Sequence, residues 1–170
     1  ELLLCEDPEE AHALADQLEQ CNRQRKEVEE QILQEMIAQT EQHPELLQQR
    51  VLILAGANWH HGVIGIVAAR LEERFGKPAI VITLEGETAR GSMRSFGAFS
   101  AFACLHACKD CLTRYGGHPG AGGFSMQADQ VDAFREAVAR YAANAFPQMP
   151  SWTMQADRLL LPQDITQSEI

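Results

Sequence analysis

The stretch from Gly116 to Phe124 combines residue types that readily surround a small charged group. It reads GGHPGAGGF, so five of its nine residues are glycine. Glycine concentrates where the backbone needs positive φ or close approach to another group, and freed backbone N–H groups can form an anion-binding nest. The pattern predicts a loop in which His118, with Gly116, Gly117 and Gly120, surrounds a small polar group or an anion. A plain connector between a helix and a strand is the alternative.

A second candidate segment lies upstream, in Gly91-Ser92-Met93-Arg94-Ser95. Two hydroxyls and one guanidinium within five positions suit bidentate recognition of a phosphate or a carboxylate, and the glycine allows close approach. The pattern predicts an anion site made by Arg94, Ser92 and Ser95. Alone it is weak, because a solvated arginine on an edge strand is the commoner arrangement.

A third candidate is Asn58-Trp59-His60-His61-Gly62, which separates a predicted strand from a predicted helix. Ligands of α/β sheets bind at the carboxyl ends of strands, and a helix N-terminus attracts anions. We therefore expect Trp59 to stack on a base and His60 to donate to a phosphate. The alternative is that Trp59 packs in the core while the histidines cap the helix.

The cysteines do not have the spacing of a metal site. Cys104, Cys108 and Cys111 fall at i, i+4 and i+7 of a predicted helix, without the usual C-x2-C pairs from separate turns, and His106 alone does not complete a site. Small thiols on a core face explain them better. No aspartate cluster suited to two hard metal ions and no P-loop is found either, so we expect no metal site in this sequence.

The elements that would position these segments follow an α/β pattern. The sequence 51–83 reads as strand, loop, helix and strand, which predicts a parallel βαβ unit. We expect a mixed β-sheet of about five strands with helices packed on it. The predicted strands are 51–55, 79–83, 88–95, 123–127 and 153–161. The predicted helices of this part are 63–75, 98–112 with Gly116 as its C-terminal cap, and 129–145.

A long helix precedes this part of the chain. Asp7-Pro8 has the residues of a capped helix start, and nothing interrupts the helix before His43-Pro44. Its apolar stripe is too irregular for a coiled-coil seam, which favours a strut between two domains. Residues 1–50 carry 13 acidic and 4 basic residues, and residues 51–170 carry 11 and 10. The net charge of −10 thus belongs mainly to the helix, and the remainder can still bind an anion.

Composition limits the class of protein. With 170 residues, 45% hydrophobic and 22% charged, the chain suits one soluble domain plus an appendage, and no apolar run is long enough to span a bilayer. Five cysteines, an odd number, argue against a disulfide scaffold and for a reducing cytoplasm. The chain opens with Glu1 rather than Met, and we expect it to be a piece of a longer protein.

Together these motifs resemble those of a known family. Residues 116–124 resemble the G-G-H-x-x-A-A-G-F signature of the DHH-associated domain in the DHH phosphoesterase superfamily, with GAG at 120–122 where small alanines are usual. Residues 91–95 resemble that domain's G-S-x-R-S element. Residues 59–68, WHHGVIGIVA, resemble a segment typical of the RecJ-type exonucleases, which are specific for single strands.

The resemblance implies a domain organisation and a function. Residues 1–50 would be an interdomain connecting helix, 51–148 a DHH-associated substrate-binding domain, and 149–170 a linker with the first strand of an oligonucleotide-binding domain. The parent would hydrolyse single-stranded DNA 5′ to 3′ in DNA repair and recombination. Its Mn²⁺ or Mg²⁺ would be held mainly by a preceding DHH domain, so this chain alone would bind no metal and be inactive.

The resemblance also implies roles for individual residues. Arg94, with Ser92 and Ser95, is similar to the family's phosphate and nucleotide contacts. His118 and its glycines resemble the catalytic group that faces the scissile phosphate across an interdomain cleft. Trp59 and His60 would hold a nucleotide or line the same cleft. The pair His60-His61 does not resemble the DHH motif itself, because no aspartate precedes it.

Two other functions remain open at this level. One is a DHH-family phosphodiesterase for oligoribonucleotides or cyclic dinucleotides, and the other is a non-catalytic interaction module whose long helix dimerises. For the favoured function we expect single-stranded DNA and the parent's other domains as partners, no membrane, a cytoplasmic location, and a chain that is a monomer or a weak dimer.

Overall fold

The computed structural model describes residues 2–148. The strand predicted at 153–161, and the linker with which we placed it, lie outside these residues. The described elements, in chain order, are α1 Pro8–Gln42, β1 Leu52–Ala57, α2 His61–Phe75, β2 Ala79–Glu85, β3 Thr88–Arg94, α3 Ala101–Ala107, β4 Arg114–His118, β5 Ala121–Gln127 and α4 Val131–Ala145. Short 3-10 turns occupy Leu2–Leu4, Pro44–Gln48, Lys109–Cys111 and Ala128–Gln130.

The five strands form one mixed sheet in the order β1-β2-β3-β5-β4. Strands β1 and β2 are parallel, and all other pairs are antiparallel. The α/β fold, the parallel unit around α2 and the long N-terminal helix are therefore confirmed. The fifth strand of the sheet is β4, which the sequence analysis did not predict.

Helices cover the two faces of the sheet unequally. On one face α3 and α4 pack over the sheet, with Phe134 and Leu105 fully buried. On the other face α2 and the C-terminal half of α1 pack on β1 and β2, around Leu52 and Val81. Helix α2 reaches as far as β3. Beyond it, Gly123 on β5 is exposed, so this face remains open toward β4.

Helix α1 begins as predicted but docks over only part of its length. The Asp7 carboxylate accepts hydrogen bonds from two N–H groups of the first turn, and the helix ends before His43-Pro44. Leu18, in the N-terminal half, is 57% exposed. In the C-terminal half, the buried Glu29 carboxylate pairs with Arg70 of α2, with Nε 2.6 Å from Oε1. This ion pair, between a buried carboxylate and a half-exposed guanidinium, joins the long helix to the sheet domain.

The glycine-rich stretch is a β-hairpin, which corrects the predicted loop. Its residues form β4 and β5, joined by Pro119 and Gly120. Helix α3 is shorter than the predicted 98–112, because Ser100 caps its start through Ala103 N–H and it ends at Ala107. Gly116 therefore lies within a strand and caps no helix. Glycine is uncommon in strands, which is why composition favoured a loop here.

Two adjacent glycines of this hairpin allow a matched stability test. Gly117 has φ +149°, and an added Cβ would lie 2.3 Å from the Ala121 carbonyl oxygen, whereas at Gly116 an added Cβ meets nothing within 4 Å. We expect Gly117→Ala to lower the free energy of unfolding by about 2 kcal/mol or more and Gly116→Ala to leave it unchanged. Urea denaturation of the chain measures both, and equal losses would contradict the assigned register.

Candidate functional site

The register of the sheet brings the two main candidate segments onto one surface. Arg94 of β3 and His118 of β4 both face Ala121 on the strand between them. One step along, Ser92 and Gly116 both face Gly123. Residues directly opposite in antiparallel strands share a face, so the two rows lie on the open face. Adjacent strands are about 4.8 Å apart, so the backbones of Arg94 and His118, with β5 between them, are roughly 10 Å apart, a distance that the two long side chains and one extended ligand can bridge.

Arg94 is a half-buried cation with only neutral partners. Its Nη1 donates to Ser92 Oγ at 3.2 Å and to the Met93 carbonyl oxygen at 3.1 Å. Within residues 2–148, no carboxylate lies at ion-pair distance from this guanidinium. Burial lowers the pKa of Arg94 from its ordinary value, because lost hydration disfavours the charged form. An anion bound beside Arg94 on the open face would stabilise the charged form of the guanidinium again.

Helix α2 approaches this arginine closely at a glycine. An added Cβ on Gly65 would lie 3.1 Å from Arg94 Nη2 and 3.1 Å from Ser92 Oγ. The helix backbone therefore limits the positions available to the guanidinium and the hydroxyl. Gly65 belongs to the WHHGVIGIVA segment, but the sequence analysis gave it no role of its own.

His118 presents one ring nitrogen to the open face. Its side chain is exposed, and its Nδ1 accepts a hydrogen bond from Gly120 N–H at 3.2 Å. In a neutral imidazole whose Nδ1 accepts, the proton is on Nε2. His118 is thus oriented by its own turn as a hydrogen-bond donor. Gly120 contributes by holding the ring, in addition to any contact that its own N–H could make.

The glycines divide into two kinds by what surrounds them. An added Cβ would lie 2.1 Å from the Phe124 ring at Gly91, and 2.5 Å from Leu105 Cδ1 at Gly122, so these two glycines serve packing on the closed face. Gly116 and Gly123 face each other on the open side, with no contact closer than 3.8 Å for an added Cβ. Bare backbone therefore forms the floor beside Ser92.

A cleft of about 290 Å³ runs between the N-terminal end of α2 and this floor. Its walls include His61, at the start of α2, and Arg90, two residues before Ser92. Arg90 Nε lies 3.5 Å from the Glu85 carboxylate, which is also 3.9 Å from His61 Nδ1. One carboxylate thus faces two basic groups here, and Arg94 adds a further positive charge. The cleft is locally basic although the chain carries a net charge of −10.

Three predicted residues lie elsewhere or are already engaged. Trp59 is 6% exposed, and its Nε1 donates to Glu35 of α1 at 2.7 Å. Its ring is in the core rather than on the cleft surface. His60 caps α2, its Nδ1 accepting from Gly62 N–H at 3.1 Å, next to the cleft. The Ser95 hydroxyl donates to the Phe99 carbonyl at 2.6 Å, so it fixes the loop after β3.

The sequence analysis missed His61 and Arg90 as wall residues, as well as Gly65. Arg90 could have been found from its spacing. Residues i, i+2 and i+4 of a strand share one face, so Arg90, Ser92 and Arg94 had to lie together once 88–95 was taken as a strand. The place of Gly65 needed the packing angle of α2, which no local pattern contains.

The described residues 2–148 hold no group of three or more His, Cys, Asp or Glu side chains placed to share a metal ion. Cys104 and Cys108 are buried in the core, as predicted. Cys111 was predicted on the same helix face, but it lies beyond the end of α3 in a 3-10 turn and is only partly buried. A hydrogen bond with Cys108, together with burial, raises the pKa of the Cys104 thiol, which keeps it protonated. Among the described helices, none is long and apolar enough to cross a membrane.

Comparison with known proteins defines the class. The DHHA1 domain family model matches residues 48–144, the part that contains the whole sheet and the cleft. The chain belongs to the DHHA1 domain family. This agrees with the family resemblance of the three motifs.

Within that family the chain is similar to the single-stranded-DNA-specific exonuclease RecJ. It is 36% identical to the Bacillus subtilis RecJ over 99% of the chain and 22% of that protein, and 36% identical to the Thermus thermophilus RecJ over 95% and 23%. The crystal structure of the T. thermophilus RecJ in complex with Mn²⁺ matches with a TM-score of 0.74 and 35% identity, over 84% of this chain and 20% of that one. The chain thus spans between a fifth and a quarter of these curated relatives, in their DHHA1 region.

The position of Trp59 gives a test that separates folding from binding. Trp59→Phe removes the donor to Glu35 and should lower the free energy of unfolding by about 2 kcal/mol, the value of a hydrogen bond to a charged group. We expect affinity for a single-stranded oligonucleotide to stay unchanged. Glu35→Gln keeps a hydrogen-bond acceptor for Trp59 Nε1 and should lower the free energy of unfolding by a smaller amount. A Trp59→Phe chain of normal stability with weakened binding would instead place this ring on the ligand.

Proposed function

We propose that this chain is the phosphate- and nucleotide-contacting part of an exonuclease that hydrolyses single-stranded DNA from the 5′ end. The observation that carries the proposal is the half-buried Arg94 guanidinium, which has neutral partners only and lies beside Ser92 and Gly65, two residues that line the cleft. The RecJ relatives, which are single-stranded-DNA-specific exonucleases, supply the substrate class. Direction of hydrolysis and a role in DNA repair and recombination are part of the proposal.

The geometry of Arg94 and Ser92 suits a phosphate. A planar guanidinium can donate two parallel hydrogen bonds to phosphate oxygens, and the hydroxyl beside it can donate a third. The bare floor at Gly116 and Gly123 leaves room for the sugar–phosphate chain to lie against the backbone. These groups recognise no base, which is appropriate for an enzyme that must accept any sequence.

His118 is assigned to the reacting phosphate. Hydrolysis of a phosphodiester places developing negative charge on the phosphoryl oxygens, and preorganised donors lower the barrier most where that charge appears. The Gly120 N–H bond already orients the ring with Nε2 as donor, so little reorganisation is needed. His118 is therefore the catalytic residue of this chain, and Arg94 and Ser92 are its substrate-binding residues.

We place the metal chemistry outside the described residues. RecJ structures have been solved with Mg²⁺ and with Mn²⁺, but residues 2–148 offer no cluster of ligands for either ion. We propose that a preceding DHH domain of the same polypeptide holds the metal and that residues 1–50 connect the two parts. In this arrangement residues 51–148 supply binding, and residues 149–170 lead to an oligonucleotide-binding domain. The cytoplasm is the proposed location.

Substitutions at the two residues test the proposal in the full exonuclease that contains this chain. We expect Arg94→Ala and His118→Ala each to lower kcat/KM on a 5′-phosphorylated single strand by about 100-fold, which for Arg94 is the value of a hydrogen bond to a charged group and for His118 the cost of losing one transition-state donor. Because Arg94 binds substrate and His118 acts on the reacting phosphate, KM should carry most of the first loss and kcat most of the second. Steady-state kinetics measure the split.

Two controls accompany these kinetics. Thermal unfolding of each variant should be close to wild type, since the His118 side chain is exposed. A His118→Ala protein that is destabilised but keeps its specific activity would make this residue structural. The 170-residue chain alone should bind the oligonucleotide without cleaving it, and metal-dependent cleavage by that chain would overturn the division of labour.

A change on α2 provides an independent approach to the same site. Gly65→Ala replaces a helical glycine and should make the chain as stable as wild type or slightly more so. The added methyl would push the Arg94 guanidinium and the Ser92 hydroxyl from their positions, so we expect weaker oligonucleotide binding. Fluorescence anisotropy at several salt concentrations measures the affinity. Unchanged binding by Gly65→Ala would remove α2 from the site.

A further inference from the structure

Three aromatic side chains form a continuous patch at the edge of the sheet, on the side away from the cleft. The aromatic patch consists of Phe102 and His106, one turn apart on α3, and Tyr115 on β4. The Phe102 and His106 rings are nearly parallel, with an interplanar angle of 17° and centroids 6.1 Å apart. Tyr115 lies 6.3 Å from Phe102 and its hydroxyl is 2.8 Å from His106 Nδ1.

Core packing does not account for the position of Phe102. Its side chain is 42% exposed, and it is the one exposed large hydrophobic residue among residues 51–148. An exposed phenyl ring loses the stabilisation that burial would supply. The imidazole of His106 is exposed as well. The patch therefore presents the Phe102 and His106 rings to solvent, while Tyr115 is partly buried against the core and supports them from below.

The patch is continuous with the cleft floor through β4. Tyr115 and Gly116 are consecutive, and successive side chains of a strand point to opposite faces. Gly116 belongs to the bare floor and Tyr115 to the aromatic patch, so only the width of one strand separates them. A polymer that leaves the floor across β4 meets these rings next.

The outer side of β4 is open within the described part of the chain. Ser95 N–H donates to the Gly120 carbonyl, so the backbone groups of Gly120 point toward β3. Because this direction alternates along an antiparallel strand, the next residue of β5 points toward β4. The N–H and C=O groups of its partner His118, and those of Gly116, therefore point toward β5. Tyr115 and Gly117 consequently direct their N–H and C=O groups outward, where no described residue pairs with them.

The opposite edge of the sheet, at β1, is covered by side chains, in contrast to the open edge at β4. Leu52 N–H donates to the Pro78 carbonyl, so the carbonyls of Ile53 and Ala55 point outward from β1. Arg135 of α4 donates to the first at 3.1 Å, and Gln39 of α1 donates to the second at 3.3 Å. Side chains that cover an edge prevent pairing with other chains. The fold protects β1 in this way and leaves β4 accessible.

We propose that the aromatic patch is a nucleobase-stacking site for the single strand that occupies the cleft, so this inference rests on the function proposed above. Base–aromatic stacking tolerates any sequence because every base has a π face, which matches a cleft that contacts only the backbone. Arg114, the residue before Tyr115, is exposed on the same face as the cleft floor. A nucleic-acid strand that crosses β4 from the floor to the patch passes this basic side chain, which suits its phosphates better than an uncharged partner.

A binding cycle with base-deleted oligonucleotides tests the proposal on the 170-residue chain. A 5′-phosphorylated oligodeoxythymidylate is compared with oligonucleotides that carry one abasic site at successive positions. With the wild-type chain, we expect one position at which base deletion weakens binding about fivefold or more. Phe102→Leu should weaken binding of the intact strand by a similar factor and abolish the effect of that abasic site. Phe102→Trp keeps a stacking ring and should behave as wild type.

Leu18→Ala and Arg94→Ala serve as control variants for this binding cycle. Leu18→Ala removes an exposed apolar side chain from α1 and should change nothing, and circular dichroism checks that each variant is folded. If Arg94→Ala weakens binding while Phe102→Leu and every abasic site leave it unchanged, the stacking site is refuted and the proposed function stands. If the wild-type chain does not bind the strand, both the stacking site and the proposed function are refuted. A Phe102→Leu loss that no abasic site reproduces also overturns base stacking.

Discussion

The arrangement of the cleft depends on one desolvated cation. Arg94 has given up part of its hydration and has a hydroxyl and a carbonyl, not a carboxylate, as partners. Such a group is stabilised whenever an anion enters the space beside it, since Coulomb attraction is strong where water is scarce. The rest of the open face keeps this arrangement in place. Helix α2 limits the guanidinium from one side through Gly65, and β5 separates it from His118.

The glycines of β3, β4 and β5 meet two different demands, one on each face of the sheet. The closed face requires close packing, so Gly91 and Gly122 admit the Phe124 ring and the Leu105 side chain. The open face requires that nothing project, so Gly116 and Gly123 leave the backbone bare. Both demands select glycine, but only the second concerns the ligand. A glycine count therefore overstates the number of positions that act directly on a phosphate.

Much of the fold could be predicted because its signals are local. The continuous apolar runs of β1 and β2, and the Asp7-Pro8 start of α1, each specify an element through neighbouring residues alone. Residues 123–127 of the hairpin were predicted as a strand, but residues 116–122 were predicted as a loop, because the hairpin is stabilised by pairing with β3 and by packing under Leu105, which are long-range contacts. Trp59 shows the same limit. Its partner Glu35 lies 24 residues away on another helix, and no motif spacing contains that information.

The negative charge of α1 is compatible with a basic cleft on the same chain. The carboxylates of Glu29 and Glu35 hold α1 against Arg70 and Trp59. These two negative charges are therefore engaged in contacts within the domain. Arg70 lies on α2, one and a half turns beyond Gly65, and Trp59 immediately precedes the His60 cap of the same helix. The contacts that dock α1 therefore also hold α2, the helix that forms one wall of the cleft. The C-terminal half of α1 supports that wall from behind without lining the cleft.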